Sequence, residues 1–298
     1  MMTTEAVPPR VCVRIVGGLG NQMFGAAAGM ALASRIGARL ELDAGYFATH
    51  STHTYQLDSF GFSVPVHAFS PPLRRSRLSR LLGLGAARSD APPEWPGAVF
   101  RERGFHYDDR FETVQGDVYL NGYFQSWLYF APIADRVRAR FNLVPHLSDE
   151  GRRFAAMAVG DGTIAMHVRR GDYAHDAATT AYHGLMGRDY YERALALVAR
   201  SVPGARVLVV SDEPDAAREL VPADVDAISV SGTTTLDDMH IIGACRHKII
   251  ANSSFSWWGA WLDPRADGVT VAPRNWFTRR QLLTMYTGDL IPPGWVLV

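Results

Sequence analysis

Residues 11–24 read Val11-Cys12-Val13-Arg14-Ile15-Val16-Gly17-Gly18-Leu19-Gly20-Asn21-Gln22-Met23-Phe24. A β-rich run, 11–16, stops at the glycines, after which Met, Phe, Ala and Leu recur at helical spacing as far as Ile36. Residues 39–42 give a second strand ending at Asp43. Strand, glycine turn, helix and strand are the parts of a βαβ unit in a parallel sheet.

Working outward, the same alternation continues. Residues 118–124 read as a strand and 131–141 as a helix that closes the first half. Strands are expected at 163–168, 206–210, 225–230, 247–251 and 269–272, with helices at 188–201, 214–220, 235–245 and 256–262 between them. The expected class is therefore α/β, two Rossmann-like doubly wound domains facing a cleft. With residues 142–149 as linker, the domains are 1–150 and 151–298. Residues 70–96 break the pattern and read as an insertion. Its four arginines and five leucines between Leu73 and Leu84 form either a solvated helical turn or a contact for anionic lipid or acceptor.

Composition narrows the function. Thirty basic side chains, 29 of them arginine, balance thirty acidic ones, so no overall field draws nucleic acid. Cys12 and Cys245 lie in apolar runs and read as small buried hydrophobes, too few for a disulfide framework. No stretch of signal-peptide or membrane-spanning length occurs, which predicts a cytoplasmic protein.

Two constellations carry chemistry. His167-Val168-Arg169-Arg170-Gly171-Asp172-Tyr173 puts two guanidinium groups at the carboxyl end of a buried strand, where open α/β sheets bind ligands. There one arginine can meet a diphosphate while the other holds a carboxylate; an ion-pair network of structural role is the plainer alternative. Asn252-Ser253-Ser254-Phe255-Ser256-Trp257-Trp258 runs from a strand through hydroxyl residues into a helix, whose amino terminus favours phosphate. Trp257, Trp258 and Trp261 read as core packing rather than a sugar platform.

Other motifs fall away. Gly17 to Gln22 misses the G-x-G-x-x-G fingerprint and reads as a tight turn that exposes Asn21 and Gln22 to the cleft. Asp224-Val225-Asp226 spells D-x-D but opens a strand instead of closing one, and is read as chance. The histidines lack metal-ligand spacing, so no metal is expected. Neither a G-x-S-x-G elbow nor a Walker loop is present.

The runs 167–173 and 252–262, His-Val-Arg-Arg-Gly-Asp-Tyr and Asn-Ser-Ser-Phe-Ser-Trp-Trp-Gly-Ala-Trp-Leu, together with Gly17-Gly18-Leu19-Gly20-Asn21-Gln22-Met23-Phe24, resemble the α-1,2-fucosyltransferases of glycosyltransferase family 11. Weaker agreement runs through residues 119–126, 190–192, 211–212 and 271–276. The resemblance implies a GT-B-like fold and inverting transfer of L-fucose from GDP-β-L-fucose to the 2-hydroxyl of a galactose-terminated glycan or lipid-linked oligosaccharide, in a bacterium. It implies no cofactor and no metal, no nucleic acid, and a cytoplasmic enzyme, free or peripheral on the inner membrane face. It places Arg169 on the β-phosphate, His167 and Asp238 on guanine, and the turn Ser254, Phe255, Ser256 under the diphosphate. Arg170, Asp212, Asn252 and Ser253 join the donor set, and Asn21 lies near the transferred sugar.

Departures fall at Gly25-Ala26, Ser211-Asp212-Glu213 and Asp238-Met239-His240-Ile241-Ile242, and they bear on the acceptor more than on the donor. In the implied mechanism Arg169 stabilises the departing nucleotide. The acceptor proton can go to a carboxylate, an imidazole or the leaving phosphate: Asp172 is the candidate base by position, with Asp176 and His183 in reserve, and the alternative role for Asp172 is to hold Arg170 in place. Two other readings stand beside this one: transfer of fucose or another GDP-deoxyhexose to a different hydroxyl, and a noncatalytic sugar-nucleotide or glycan-binding protein.

Overall fold

The computed structural model describes residues 7–50, 52–70, 92–160, 162–171, 177–265 and 267–298. Most of the expected insertion, 71–91, lies outside these residues. The chain divides into two compact units, Met1–Val137 and Arg138–Val298.

The first unit carries a five-stranded parallel sheet of β1 (Arg10–Arg14), β2 (Arg39–Asp43), β3 (Val66–His67), β4 (Ala98–Arg101) and β5 (Val118–Asn121) in the order β3-β2-β1-β5-β4. The chain winds outward from β1 through β2 to β3, then crosses to the other side, so the strand order reverses between β1 and β5. The glycine turn that ends β1 stands at this reversal, and helix Leu19–Ile36 packs back on the sheet. β5 is shorter than expected: it stops at Asn121, and Phe124 takes a left-handed backbone with φ +52° that no strand can hold.

The second unit holds β6 (Thr163–Val168), β7 (Arg206–Ser211), β8 (Ala227–Ser229), β9 (His247–Ile249), β10 (Thr270–Ala272) and β11 (Val296–Leu297), all parallel, in the order β11-β10-β9-β6-β7-β8. Read from β8, this is the doubly wound order 3-2-1-4-5-6, and its switch point lies between β6 and β9. Alternation explains its two faces. Ile164, Met166, Val168, Val207 and Val209 point toward helix Arg188–Ala199, while Ala165, Leu208 and Val210 meet helices Asp149–Ala158 and Thr235–Ala244. All six residues of β6 are buried, as expected of a parallel strand covered on both sides.

The boundary between units falls inside helix Ala134–Arg140, not in the segment 142–149 read as linker. Pro145 is absorbed into a 3-10 turn, Val144–His146, and Ser148 caps helix Asp149–Ala158 by accepting Gly151 N–H at 3.0 Å. Ser148 also gives its hydroxyl and its N–H to Asp237, at 2.6 and 2.9 Å, which ties this stretch into the second unit. Lys248, the sole lysine of the chain, is sealed here against Asp263 at 2.6 Å, with 3% and 6% of the two side chains exposed. Among the described residues no helix is long and apolar enough to cross a membrane.

Helix Ser254–Leu262 is fixed by close approach. A Cβ on Gly259 would stand 2.9 Å from Ile242 Cβ and 3.0 Å from the Met239 carbonyl, so the backbone of this helix lies directly on helix Thr235–Ala244. Trp257, Trp258 and Trp261 fill its buried side as a mutually packed cluster, Trp257 donating Nε1–H to Leu290 O at 2.8 Å. They are core, as the sequence reading has it. Gly259→Val should cost roughly 1–3 kcal/mol by overpacking, read as a lower urea midpoint at unchanged slope. Wild-type stability in that variant would mean the helices are not in this contact.

Candidate functional site

The register of the second sheet decides what stands together. β6 pairs with β7 as far as Val168↔Ser211, and with β9 as far as Met166↔Ile249. The loops leaving β6, β7 and β9 therefore open side by side at the carboxyl edge, around the switch point. They bring Arg169, Arg170, Asp212 and the Asn252–Ser256 stretch into one neighbourhood.

Two adjacent guanidinium groups leaving a buried strand need counter-charge. The β7 loop supplies it. Arg169 Nη1 donates to Asp212 Oδ2 at 2.8 Å, and Arg170 N–H donates to Asp212 Oδ1 at 3.1 Å. Arg170 Nε donates to Glu213 Oε2 at 3.2 Å. One carboxylate thus grips the side chain of the first arginine and the backbone of the second. Both partners keep an open side, 27% for Arg169 and 30% for Asp212, so this clasp orients the guanidinium without burying it. In the sequence Glu213 shows only as a departure from the family pattern; the register that sets it beside Arg170 reveals its role.

His167 is the last inward residue of β6 on the face of Ala165 and Phe255, its ring 5.6 Å from that of Phe255. Its carbonyl accepts the Tyr191 hydroxyl at 3.3 Å, while Nδ1 is buried with no hydrogen-bond partner. Burial, and after it the Arg169 charge, push the imidazole down to about 3. The ring is thus neutral through the physiological range, free to present Nδ1 as donor or acceptor by choice of tautomer.

The Asn252–Ser256 stretch sorts into a buried and an open part. Asn252 is 1% exposed and donates Nδ2–H to the carbonyls of His183, Gly184 and Trp276, at 2.9, 3.3 and 3.2 Å. Its amide ties three loops, a supporting role. Ser253 caps the helix by accepting Phe255 N–H at 3.3 Å, and buried Ser256 bonds back to Ser253 O. Ser254 and Phe255 are the half-buried pair that presents the helix amino terminus to the edge.

Asp238 sits in the first turn of helix Thr235–Ala244, accepting the Thr233 hydroxyl at 2.6 Å. Burial first, then the charges of Asp237 and Asp212, raise its carboxyl to about 6. The fields of Asp212 and Asp238 thus meet at one edge. Asp172 and Asp176 lie outside the described residues. His183 belongs to an aromatic group with Tyr182 and Phe277.

In the first unit, Asn21 and Gln22 part company. Asn21 is half buried, its Oδ1 accepting Gln125 Nε2–H at 2.6 Å. Gln22, expected to be exposed, is fully buried: Nε2 donates to Gly17 O and Thr54 O at 2.9 and 2.8 Å, and Oε1 accepts Gln56 N–H at 2.9 Å. It locks the glycine turn to residues 54–56, because a carboxamide pointing into the unit must satisfy both ends there. Asp226 of the D-x-D pairs with Arg206 at 2.8 Å, at the amino ends of β7 and β8, the edge opposite the arginines.

Comparison with known proteins makes the chain a glycosyltransferase. It belongs to glycosyl transferase family 11, whose description matches residues 10–298. It is 26% identical to the α-1,2-colitosyltransferase of Escherichia coli over 97% of this chain and 98% of that one. It is 28% identical to the O-antigen biosynthesis glycosyltransferase WbnK of Escherichia coli, over 90% and 96%, and 25% identical to the galactoside 2-α-L-fucosyltransferase Sec1 of Mus musculus, over 84% and 63%. Among solved structures, the fucosyltransferase NodZ from Bradyrhizobium superposes with a TM-score of 0.46 at 16% identity, over 87% of this chain and 95% of that one.

The raised Asp238 carboxyl has a thermodynamic consequence. The folded chain holds the proton more tightly than the unfolded chain, so the stability Asp238 lends is greatest below the ordinary carboxylate pKa and is lost as pH rises through about 6. Wild type minus Asp238→Asn, compared by urea midpoints, should fall across that window and stay flat above it. A difference independent of pH would show that the carboxyl is not buried in this way.

Proposed function

We propose that this chain transfers a 6-deoxyhexose, L-fucose in the first place, from its GDP-linked donor to the 2-hydroxyl of a β-galactoside, with inversion to an α-1,2 linkage. The observation that carries this reading is the switch point of the second sheet, where the Asp212-clasped Arg169 and the amino terminus of helix Ser254–Leu262 share one edge. α-1,2 transfer stands in the names of relatives with bacterial and animal sources, and the bacterial ones favour a surface-polysaccharide acceptor.

The chemistry follows from charge. Breaking the sugar–phosphate bond builds negative charge on the diphosphate, which in this reading falls to the guanidinium of Arg169 and the helix amino terminus. No divalent ion is called for, and EDTA should leave turnover unchanged. One preorganised donor of this kind is worth roughly 3–4 kcal/mol in the transition state. A point charge on a flexible stem cannot reproduce a forked contact, so Arg169→Lys should lose about 100-fold or more in kcat; near-normal turnover would remove the assignment. Asp212→Asn, which weakens the clasp, should show a smaller loss of the same kind.

Guanine recognition falls to His167 and Asp238. A carboxylate accepts both N–H donors of the guanine edge only when ionised. With Asp238 raised to about 6, the Kd for GDP should rise as pH falls below that value. Asp238→Asn should flatten the titration, and an unaltered slope in that variant would exclude the contact. Asp172, which follows Arg170-Gly171, is the base by position; full kcat across pH in Asp172→Asn would exclude it.

A second reading, transfer of another GDP-linked deoxyhexose, draws on the colitosyltransferase, which aligns along almost the whole chain. The deciding experiment incubates the purified chain with GDP-fucose and lactose or N-acetyllactosamine, and follows GDP release and product linkage. An α-1,2-fucosylated product is expected. Donor binding without turnover on a wide glycan panel would make the chain a binder instead.

A further inference from the structure

The first unit holds a clasp of its own at the switch point of its sheet. β4 leads into Glu102, whose side chain crosses to the loop after β5. Glu102 Oε2 accepts Tyr123 N–H at 2.8 Å and Phe124 N–H at 3.0 Å. Gly122 makes the room, since a Cβ there would stand 2.5 Å from Glu102 Cβ. Held at both N–H groups, Phe124 takes φ +52°, the one non-glycine residue at positive φ among the described residues. Such a conformation persists only where its surroundings over-determine it. Its ring is buried, edge-on to Tyr129 at 5.2 Å and 6.3 Å from both Phe100 and Phe111. Burial raises the Glu102 carboxyl to about 7, although both N–H groups pull it down.

The turn has two products. On one side it delivers Gln125, 7% exposed, to Asn21. On the other it leaves Tyr123 49% exposed as a whole residue, its phenol raised by burial first and then by Tyr46, with Arg14 opposing. Arg14 lies over the Tyr46 ring, 6.0 Å from its centroid, and reaches Asn121 Oδ1 at 3.5 Å. All of these stand at the carboxyl edge of the first sheet. Ring faces ringed by amide and guanidinium donors suit a pyranose, whose C–H face stacks while its hydroxyls find donors and acceptors.

The geometry points to Glu102 as a positioning residue for the acceptor sugar: its carboxyl fixes the 122–125 turn, which sets Tyr123 and, through the buried Gln125, Asn21 as the surface that holds a β-galactoside. The identity of the sugar rests on the proposed function; the clasp does not.

Glu102→Gln keeps an oxygen that can accept both N–H groups, whereas Glu102→Ala removes it. With GDP-fucose as donor and lactose as probe acceptor, Glu102→Ala should raise the lactose KM by up to about 100-fold, with the Kd for GDP unchanged and most of the loss restored in Glu102→Gln. Tyr123→Ala, at an exposed side chain, should raise the lactose KM too, and it decides the matter where Glu102→Ala fails to fold. Equal damage in Gln and Ala variants, a parallel rise in the Kd for GDP, or an unmoved lactose KM in Tyr123→Ala overturns the proposal. So does a wild type that binds neither lactose nor N-acetyllactosamine in saturation-transfer NMR. A wild type that fails to bind GDP counts against the proposed function instead, and the same NMR titration on the variants then decides this one.

Discussion

A parallel sheet covered by helices on both faces has one place left for polar chemistry, the ends of its strands. In the second unit that constraint is severe, because β6 is buried along its whole length and the first residues able to leave the core are Arg169 and Arg170. Two cations at such an exit hold their positions only if an anion meets them, and Asp212 does so by bonding one side chain and the neighbouring backbone together. The clasp turns a flexible arginine into a fixed donor. The proposed reaction, which sheds a nucleotide diphosphate, needs such fixed charge more than strong charge, since reorganisation during the step is what costs rate.

The two units answer one structural problem in related ways. Each places a glycine-containing exit and a helix amino terminus at its switch point, and each draws in a carboxylate to discipline the loop beside it. Asp212 works on cations, while Glu102 works on backbone N–H groups. The difference is chemical and is the one the proposed donor and acceptor ask for: an anionic ligand needs oriented positive charge, whereas a neutral sugar needs oriented amides and ring faces.

Much of this was legible in the residues, and for stated reasons. Strands β1, β6 and β7 are short and mostly apolar, with few polar residues inside them, so length and flanking residues identify them. β4 was missed because only Phe100 of its residues is buried and no period shows. Helix Asp149–Ala158 was hidden behind the polar Asp149-Glu150-Gly151-Arg152-Arg153 opening, although Ser148 ahead of two acids is a proper start signal. Arg169, Arg170 and Ser253 to Ser256 could be placed because residue type and strand exit coincide. Gln22 was misjudged, and Glu213 and Glu102 escaped, because each acts through pairings that side-chain chemistry alone does not announce. Loop partners 21 to 43 residues away along the chain fix them, and only the register of the sheets brings those partners near.

The buried Lys248–Asp263 pair has a practical corollary. Surface cations here are arginines, so the folded chain offers amine-directed reagents no exposed lysine side chain. Acylating dyes, biotin esters and amine cross-linkers would mark Lys248 only once the second unit opens. Its labelling rate is therefore a built-in clock for that opening, independent of any assay for sugars.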